Sequence, residues 1–276
     1  MMLDPSRDEP DVSLDLPEVS KHNWKELEIR DVWDDPLESF VEGRREVAQR
    51  ALLDEDHPRK TLRRLVPTER ASDIVADMSD EIDVARAVDD DDTTLVLTSP
   101  DCPANPETLL DGDVSPIDQM KYRGVPDCCA TAYTQHRASG QHDPIVAIAR
   151  NTPSTEERGG ELVVEDPHPI LNPIWAYQGW SFVDFYPCSF ECNRAREFAS
   201  ETGRLFREIG RGEAAEAAYE FLTEPTYWSG YHGLAHVKNS WCIGEYNTDD
   251  YWKEEVVRFN GYHDEVGDVS SIDFNS

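Results

Sequence analysis

The chain has 276 residues, and its 57 Asp and Glu outnumber its 26 Lys and Arg, which gives a formal net charge of −31 at pH 7. No basic stripe is available to neutralise phosphates, so the composition argues against binding to DNA, RNA or an anionic membrane surface. Such an excess of one sign opposes compaction at ordinary ionic strength, whereas at about 1 M salt the Debye length falls to roughly 3 Å and the repulsion is screened.

The distribution of the charge favours salt adaptation over two alternatives. Acidic residues recur from Asp4 to Asp273, whereas a nucleic-acid mimic or an acidic interaction tail would cluster them. The basic residues comprise 20 Arg and only 6 Lys. Arg is weakly hydrated and pairs with carboxylates in a two-pronged geometry, which suits an acidic surface at low water activity. We therefore predict a salt-adapted protein of the kind that halophilic archaea produce.

The sequence lacks the usual signals of a membrane or secreted protein. No stretch approaches the run of about 20 apolar residues that a membrane helix needs. The start of the chain, Met1 to Pro5, has neither the basic nor the apolar region of a signal peptide. We therefore predict a cytoplasmic location. In a reducing compartment the six cysteines are expected to be thiols, metal ligands or redox groups rather than disulfides.

The first half of the chain is predicted to be mostly helical. Residues 1–20 are acidic and aperiodic, which predicts a disordered N-terminus. A mostly helical region is expected over residues 21–150. The patterns predict helices at 37–53 and 71–88, a short buried strand at 93–98, and helices that begin at Pro116 and at Pro126, the latter running to about His136.

The second half is predicted to mix helices with a few short strands. The polar stretch 151–167 contains Gly159 and Gly160 and is interpreted as a linker or flap. A mixed α/β region is expected over 168–263, followed by an acidic tail at 264–276. Within it the patterns predict strands at 180–186 and across 226–246, and helices at 190–209, 213–222 and 249–259. The predicted fold class is α+β, with a mostly helical N-terminal half and a smaller mixed C-terminal half.

Two pairs of cysteines follow prolines. The first lies in Gly-Val-Pro-Asp-Cys-Cys at 124–129, and the second in Pro-Cys-Ser-Phe-Glu-Cys at 187–192. In both segments the proline predicts that a helix starts close by, where free backbone N–H groups and the helix dipole stabilise negative charge. Thiol pKa values fall at such positions, and the thiolate is both the nucleophile and the metal ligand.

The spacing of the cysteines suggests a shared site. If Cys188 and Cys192 both lie in a helix, they share one face with their Cβ atoms about 5–6 Å apart. Adjacent helical residues point in different directions, so we expect only one of Cys128 and Cys129 to join them. Three thiolates and one further ligand suit zinc or an iron–sulfur cluster. Buried structural thiols and a thiol redox pair stay open as alternatives, and Cys102 is expected to be structural, as is Cys242.

A histidine could supply the fourth ligand. His232 and His236 have the i, i+4 spacing that chelates a metal on a helix, but Gly230 and Gly233 favour strands and turns. In a strand the two histidines would lie about 13 Å apart, too far to share one ion. We therefore expect at most one of them to be a ligand and prefer His236. A core histidine held by hydrogen bonds accounts for the pattern equally well.

Three segments together resemble a known family. Residues 124–129, 186–192 and 232–238, in this order, resemble an uncharacterised, largely archaeal family, domain of unknown function 483. The resemblance covers about residues 115–245. It implies no established activity, but it implies that the three segments belong to one domain.

The motifs leave three hypotheses of different classes. The sequence contains no nucleophile elbow, Walker loop, dinucleotide-binding glycine motif or HExxH motif. The leading hypothesis is a cytoplasmic metalloprotein that holds zinc or an iron–sulfur cluster through Cys188, Cys192 and one of Cys128 and Cys129, with His236 as the candidate for a fourth ligand. The second is a non-catalytic binding or regulatory protein with core cysteines. The third is a thiol oxidoreductase with Cys188 as its nucleophile. The sequence identifies no protein or small-molecule partner.

Overall fold

A computed structural model describes residues 35–78, 80–89, 91–139, 143–173 and 180–223, and beyond them the strand segments 226–229, 234–237, 240–243 and 256–259. The predicted disordered N-terminus at 1–20 and the predicted acidic tail at 264–276 lie outside these residues. The described residues form eight α-helices and nine β-strands in two sheets. The predicted α+β class is therefore confirmed.

The first sheet is a small antiparallel sheet with the strand order β1-β3-β2. Leu95 and Leu97 of its central strand are fully buried and pack with Val66 and Ile82 in a satellite core. The elements of this region are α1 (Asp35–Arg50), β1 (Thr61–Pro67), α2 (Thr68–Ala76), β2 (Asp83–Asp89) and β3 (Asp92–Thr98). The predicted helix at 37–53 and the predicted strand at 93–98 are confirmed by α1 and β3.

The predicted helix at 71–88 is wrong in its second half. Helix α2 ends at Ala76, and residues 83–89 form strand β2, which pairs with β3 along its whole length. In β2 Ala85 alone is buried and the residues from Arg86 to Asp89 are exposed, so the segment lacks the buried stripe of a core-facing helix. Pairing with the buried strand β3 outweighs the helix propensity of an alanine- and arginine-containing segment.

Four short helices with well-defined starts follow the first sheet. They are α3 (Pro106–Asp111), α4 (Pro116–Tyr122), α5 (Asp127–Ala138) and α6 (Pro144–Asn151). Three of them have proline at the first position and a side-chain cap before it: Asn105 accepts from the Thr108 N–H, Ser115 from the Asp118 N–H, and Asp143 from the Ile145 N–H. The predicted helix starts at Pro116 and just after Pro126 are confirmed.

The second sheet joins a hairpin to the C-terminal strands in the order β4-β5-β9-β6-β7-β8. Among the described strands of this sheet, β5 and β9 pair in parallel and the other pairs are antiparallel. The segment predicted as a linker or flap contains the β4–β5 hairpin, whose turn carries Gly159 and Gly160 at positive φ. The elements are β4 (Thr155–Arg158), β5 (Glu161–Val164), α7 (Asn193–Glu208), α8 (Gly212–Thr223), β6 (Thr226–Ser229), β7 (Leu234–Val237), β8 (Ser240–Ile243) and β9 (Val256–Phe259).

Two predictions in the second half are wrong. Residues 180–186 are irregular rather than a strand: Trp180, Phe182 and Val183 are all buried, and the Ser181 hydroxyl bonds to the backbone of Val183 in place of a strand partner. The described part of the helix predicted at 249–259 is strand β9, whose residues pair with both β5 and β6. Helices α7 and α8 confirm the predictions at 190–209 and 213–222.

The main core spans both halves of the chain. Phe40 of α1 stacks on Phe206 of α7 with ring centroids 4.4 Å apart, and Phe182 packs edge-on against Phe40 at 5.1 Å. The same cluster of buried residues includes Cys129 of α5 and Cys192 at the start of α7. The predicted boundary at 151–167 therefore falls within the span of a single core, and both cysteine pairs are anchored in it.

Candidate metal centre

A tight glycine turn delivers the first cysteine pair. Gly124 has a φ of +84°, and a Cβ at this position would meet Phe198 at 2.9 Å and the backbone of Arg59 at 3.0 Å. Only glycine combines this left-handed conformation with so close an approach. The chain then enters α5, which places Cys128 and Cys129 in its first turn. Cys129 is fully buried, and Cys128 is half-buried.

A hydrogen-bonded loop delivers the second pair. Phe190 is fully buried; its N–H donates to the Thr152 hydroxyl at 2.9 Å, and its carbonyl accepts from the His168 N–H at 2.8 Å. Cys192 is the N-cap residue of α7, and Cys188 lies in the irregular segment before it. The two cysteines therefore do not share a helix face, because the helix starts only at residue 193. The loop, and not helical spacing, brings them together.

The four sulfurs form a compact group. The Sγ of Cys128 lies 3.9 Å from that of Cys129 and 3.7 Å from that of Cys192, and the Sγ atoms of Cys129 and Cys192 are 3.8 Å apart. All four Sγ atoms, including that of Cys188, lie within 4.8 Å of one another. A tetrahedral zinc ion with Zn–S bonds of about 2.3 Å places its sulfurs about 3.8 Å apart. Four cysteines thus lie at metal-binding distance.

The electrostatics of the group favour a bound cation. Hydrogen bonds from the thiols of Cys129 and Cys188 lower the pKa of Cys192 to about 2. Hydrogen bonding to Cys188 and Cys192, together with burial, raises the pKa of Cys129. The hydrogen bond with Cys129 lowers the pKa of Cys188. The hydrogen bond with Cys192 and burial act in the opposite direction and are larger together, so they raise the pKa of Cys188 to about 12. Four adjacent thiols cannot all ionise without a cation, because the resulting thiolates would repel one another. A bound divalent cation offsets this repulsion.

The backbone also contributes to the centre. The N–H of Cys188 donates to the Sγ of Cys129 at 3.3 Å. Such N–H···S contacts stabilise a thiolate and fix the direction of its lone pairs. The backbone amide of Ala195, in the first turn of α7, also helps to lower the pKa of Cys192.

The structure differs from the sequence prediction at one ligand and leaves another open. The expectation that only one of Cys128 and Cys129 joins the group is wrong, because the sulfurs of both contact Cys192 from the first turn of α5. His236 lies in β7, opposite Trp241 of β8, and its side chain is outside the described residues, as are all of His232 and the side chain of Cys242. Cys102 is half-buried and is not part of the group.

A cavity of about 400 Å³ lies beside the sulfurs, and Cys129 forms part of its wall. Asp184 and Arg123 also line it: Arg123 Nη2 lies 3.6 Å from the Asp184 carboxylate and donates to its backbone carbonyl at 3.1 Å. Behind the cavity, Arg59 is almost fully buried and donates to the same carboxylate at 2.8 Å. Burial opposes the ionisation of Asp184, but these guanidinium groups outweigh it and lower its pKa to about 2.

This charged group was not predicted from the sequence. Arg59 and Asp184 stand 125 positions apart, and nothing distinguishes either from the many other charged residues of the chain. His57 was also missed: it is buried, its Nδ1 accepts from the Arg59 N–H at 3.2 Å, and burial followed by repulsion from Arg59 lowers its pKa to about 3. Burial is the signal that marks such residues, and it is visible only in the fold.

Comparison with protein-family models, with curated proteins and with solved structures gave no match. The resemblance to domain of unknown function 483 therefore stays a prediction. Among the described residues, none of the helices has the length and apolar character needed to cross a membrane.

Proposed function

We propose that the protein binds a single metal ion through the thiolates of Cys128, Cys129, Cys188 and Cys192, and that zinc is its metal. The observation that carries the proposal is the spacing of the four sulfurs, three pairs of which lie 3.7–3.9 Å apart. This spacing is that of the edges of a zinc tetrathiolate tetrahedron, about 3.8 Å. A soft, all-sulfur donor set is also the one that selects zinc or iron.

The same spacing favours one ion over an iron–sulfur cluster. In a four-iron cluster each cysteine binds a different iron, so the cluster itself holds the sulfurs apart. Here no two of the four sulfurs are more than 4.8 Å apart. The volume between them fits one ion. A mononuclear iron site has the same geometry as a zinc site, and metal analysis distinguishes the two.

Four protein ligands leave no open coordination position. Structural zinc sites have four protein ligands, whereas catalytic sites keep one position for water or substrate. Because Cys128 and Cys129 begin α5 and Cys192 caps α7, the ion would hold the starts of these two helices together in the main core. We therefore propose a structural role for the metal, with no reaction at the ion itself.

The two other sequence hypotheses receive less support. A thiol oxidoreductase needs an accessible nucleophile with a low pKa. The pKa of Cys188, the predicted nucleophile, is raised to about 12, and Cys192, whose pKa is lowered, is buried. Structural thiols behave as small hydrophobic side chains, and hydrophobic packing alone does not account for four sulfurs in mutual contact. The sulfur geometry therefore favours the metal over both.

The test is metal analysis of protein purified without oxygen in buffer with about 1 M KCl, which screens the surface charge. We expect close to one zinc per chain. Replacement by Co²⁺ should produce the intense visible absorption of tetrahedral cobalt with thiolate ligands. The variant Cys192→Ser should lose most of the metal. The variant Cys102→Ser is the matched control, since Cys102 is also half-buried and free but lies outside the group, and it should keep the metal.

Three results would contradict the proposal. Metal-free wild-type protein with four readily titrated thiols would leave the core-thiol or redox hypothesis. Several irons per chain with equivalent sulfide would show a cluster in place of one ion. Equal metal content in Cys192→Ser and Cys102→Ser would place the metal elsewhere in the chain.

We also propose that the protein works in concentrated salt in a reducing cytoplasm. The support is its net charge of −31, spread along the chain, and the absence of S–S bonds among the described cysteines. Free thiols in this number fit a reducing compartment. The salt dependence of stability, described in the Discussion, tests the first half of this proposal.

A further inference from the structure

Two of the four sulfurs in the candidate metal centre belong to partly accessible residues. Cys128 and Cys188 are half-buried, whereas Cys129 and Cys192 are buried. Zinc has no redox chemistry of its own, so an oxidant that reaches the centre takes electrons from thiolate sulfur. Hydrogen peroxide is uncharged and little larger than water, and it converts accessible thiolates to sulfenic acids. The half-buried cysteines are therefore the positions at which peroxide first meets the centre.

The geometry of the group restricts which disulfides can form. Cys128 and Cys129 are consecutive residues joined by a trans peptide bond, which holds their Cα atoms about 3.8 Å apart. Disulfides usually need a Cα separation of about 4.4–6.8 Å, so a bond between these two neighbours is disfavoured. A cysteine of α5 must instead pair with one of the segment that leads into α7.

The contacts select Cys128 and Cys192 as that pair. The Sγ of Cys128 lies 3.7 Å from that of Cys192. Cys129 is almost as close to Cys192, at 3.8 Å, but it is fully buried, so Cys128 is the one of the two that peroxide reaches. The Sγ of Cys129 lies beside Cys188, whose N–H donates to it at 3.3 Å. Cys129 and Cys188 are thus left as a second pair.

We propose that hydrogen peroxide converts the metal centre into a Cys128–Cys192 disulfide and expels the ion. The inference rests on the proposed function, because the ion is what holds the four thiolates together in the reduced protein. The Cys128 thiolate attacks one peroxide oxygen, the O–O bond breaks, and hydroxide leaves while the sulfur becomes a sulfenic acid. The Cys192 thiolate attacks that sulfur, the S–S bond forms and a second hydroxide leaves. Two thiolates have then lost two electrons, and one peroxide has gained them.

The disulfide joins the same two elements as the ion. Cys128 lies in the first turn of α5 and Cys192 caps α7, and both contact the main core. After oxidation two thiolates remain, fewer than the four ligands of a structural zinc site, so the ion leaves. Since the new bond holds the starts of α5 and α7 together, the oxidised protein keeps its fold. The centre therefore releases zinc in response to peroxide without unfolding.

The test is a peroxide titration of the zinc-containing wild type, purified without oxygen and kept in about 1 M KCl. Released zinc is measured with a chromogenic chelator, disulfides by peptide mapping after alkylation of free thiols, and the fold by circular dichroism. We expect most of the zinc to be released by roughly one to two equivalents of peroxide. A Cys128–Cys192 peptide should appear, the helical signal should stay unchanged, and dithiothreitol with added Zn²⁺ should restore the centre. Cys102→Ser should behave like the wild type, because Cys102 lies outside the group.

Two variants test the order of the steps. Both are compared as metal-free proteins, so that a difference in metal content does not affect the result. Cys192→Ser lacks the second thiolate and should accumulate a Cys128 sulfenic acid, which dimedone traps. Cys188→Ser is the matched control: it also loses one ligand of the group but should still form the Cys128–Cys192 disulfide.

The outcomes separate this inference from the proposed function. A wild type without zinc contradicts the proposed function before any peroxide is added. A wild type that contains zinc but keeps it in several equivalents of peroxide overturns the present inference alone. So does zinc release that is accompanied by unfolding, by a different disulfide or by equal dimedone labelling of Cys192→Ser and Cys188→Ser.

Discussion

The tight turn at Gly124, which precedes Cys128 and Cys129, allows a quantitative prediction of the stability lost on substitution. Gly124 and Gly112 have nearly the same backbone conformation, with φ of +84° and +81°. A Cβ at Gly112 would meet nothing within 4 Å, whereas one at Gly124 would meet Phe198 at 2.9 Å and the backbone of Pro58 and Arg59 at 3.0 Å. Alanine at the two positions therefore has the same backbone cost and a different packing cost.

The magnitudes follow from these two terms. A left-handed φ destabilises the folded state by about 1–2 kcal/mol for a non-glycine residue. Alanine also lowers the entropy of the unfolded chain, which stabilises the folded state by about 0.4–1 kcal/mol. Gly112→Ala should therefore lower the free energy of unfolding by about 1 kcal/mol. Gly124→Ala has the same terms and must also displace backbone atoms, which adds about 1–3 kcal/mol of overpacking. The two contacts with the backbone of Pro58 and Arg59 cannot be relieved by a change of rotamer.

Urea titration in about 1 M KCl measures both variants under identical conditions, with metal content determined in parallel. We expect Gly124→Ala to be less stable than Gly112→Ala by about 1–3 kcal/mol. It should also retain less metal, because the displaced turn carries Cys128 and Cys129 into α5. Equal destabilisation by the two substitutions would refute the reasoning that close packing at Gly124 positions the first cysteine pair.

Three further predictions concern stability. The pKa of His57 is about 3 in the folded protein against about 6.5 in the unfolded chain, so its contribution to stability is complete above pH 6.5 and falls as the pH drops towards 3. Between pH 7 and pH 4 this contribution decreases by about 3 kcal/mol, so urea titrations should show a larger loss of stability in the wild type than in His57→Gln, and equal losses would contradict the shift. Asp143 is buried, caps α6 and accepts from Trp228 Nε1 at 2.8 Å, so Asp143→Ala should cost about 2–4 kcal/mol in the same assay; a loss below 1 kcal/mol would contradict this role. The melting temperature should rise as KCl increases from about 0.1 to 1 M, and a flat or falling curve would contradict salt adaptation.

The sequence predicted those parts of the fold that depend on local signals. The helix starts at Pro116 and Pro126 could be predicted because proline and capping residues act on their immediate neighbours. Strand β2 could not, because its residues become a strand only by pairing with β3. The strand predicted at 180–186 is wrong for a different reason. Its apolar residues have the pattern of a strand, but they are buried in the core without a strand partner.

The candidate site divides in the same way. All four cysteines were identified from their residue type and their positions after proline, since few other residues in the chain have that chemistry. Their mutual arrangement was not identified, because it depends on how the 187–192 loop is held by Thr152 and His168. Arg59 and Asp184 could not be predicted as a pair at all, since their partnership exists only through the packing of distant segments.

The long separation between the two cysteine pairs has a consequence for biosynthesis. The two pairs lie 59 to 64 positions apart along the chain. A cross-link that closes a loop of this length raises the free energy of the unfolded chain by about 4 kcal/mol in the chain-entropy model. Ribosomes add about 5–20 residues per second, so the adjacent thiols of Cys128 and Cys129 emerge about 3–13 s before the sulfurs that complete the site. During that interval the nascent chain presents two neighbouring thiols without their partners, open to oxidation and to other thiophilic metals. If the group binds the proposed ion, the redox state and metal supply at the ribosome help to decide which metal is incorporated.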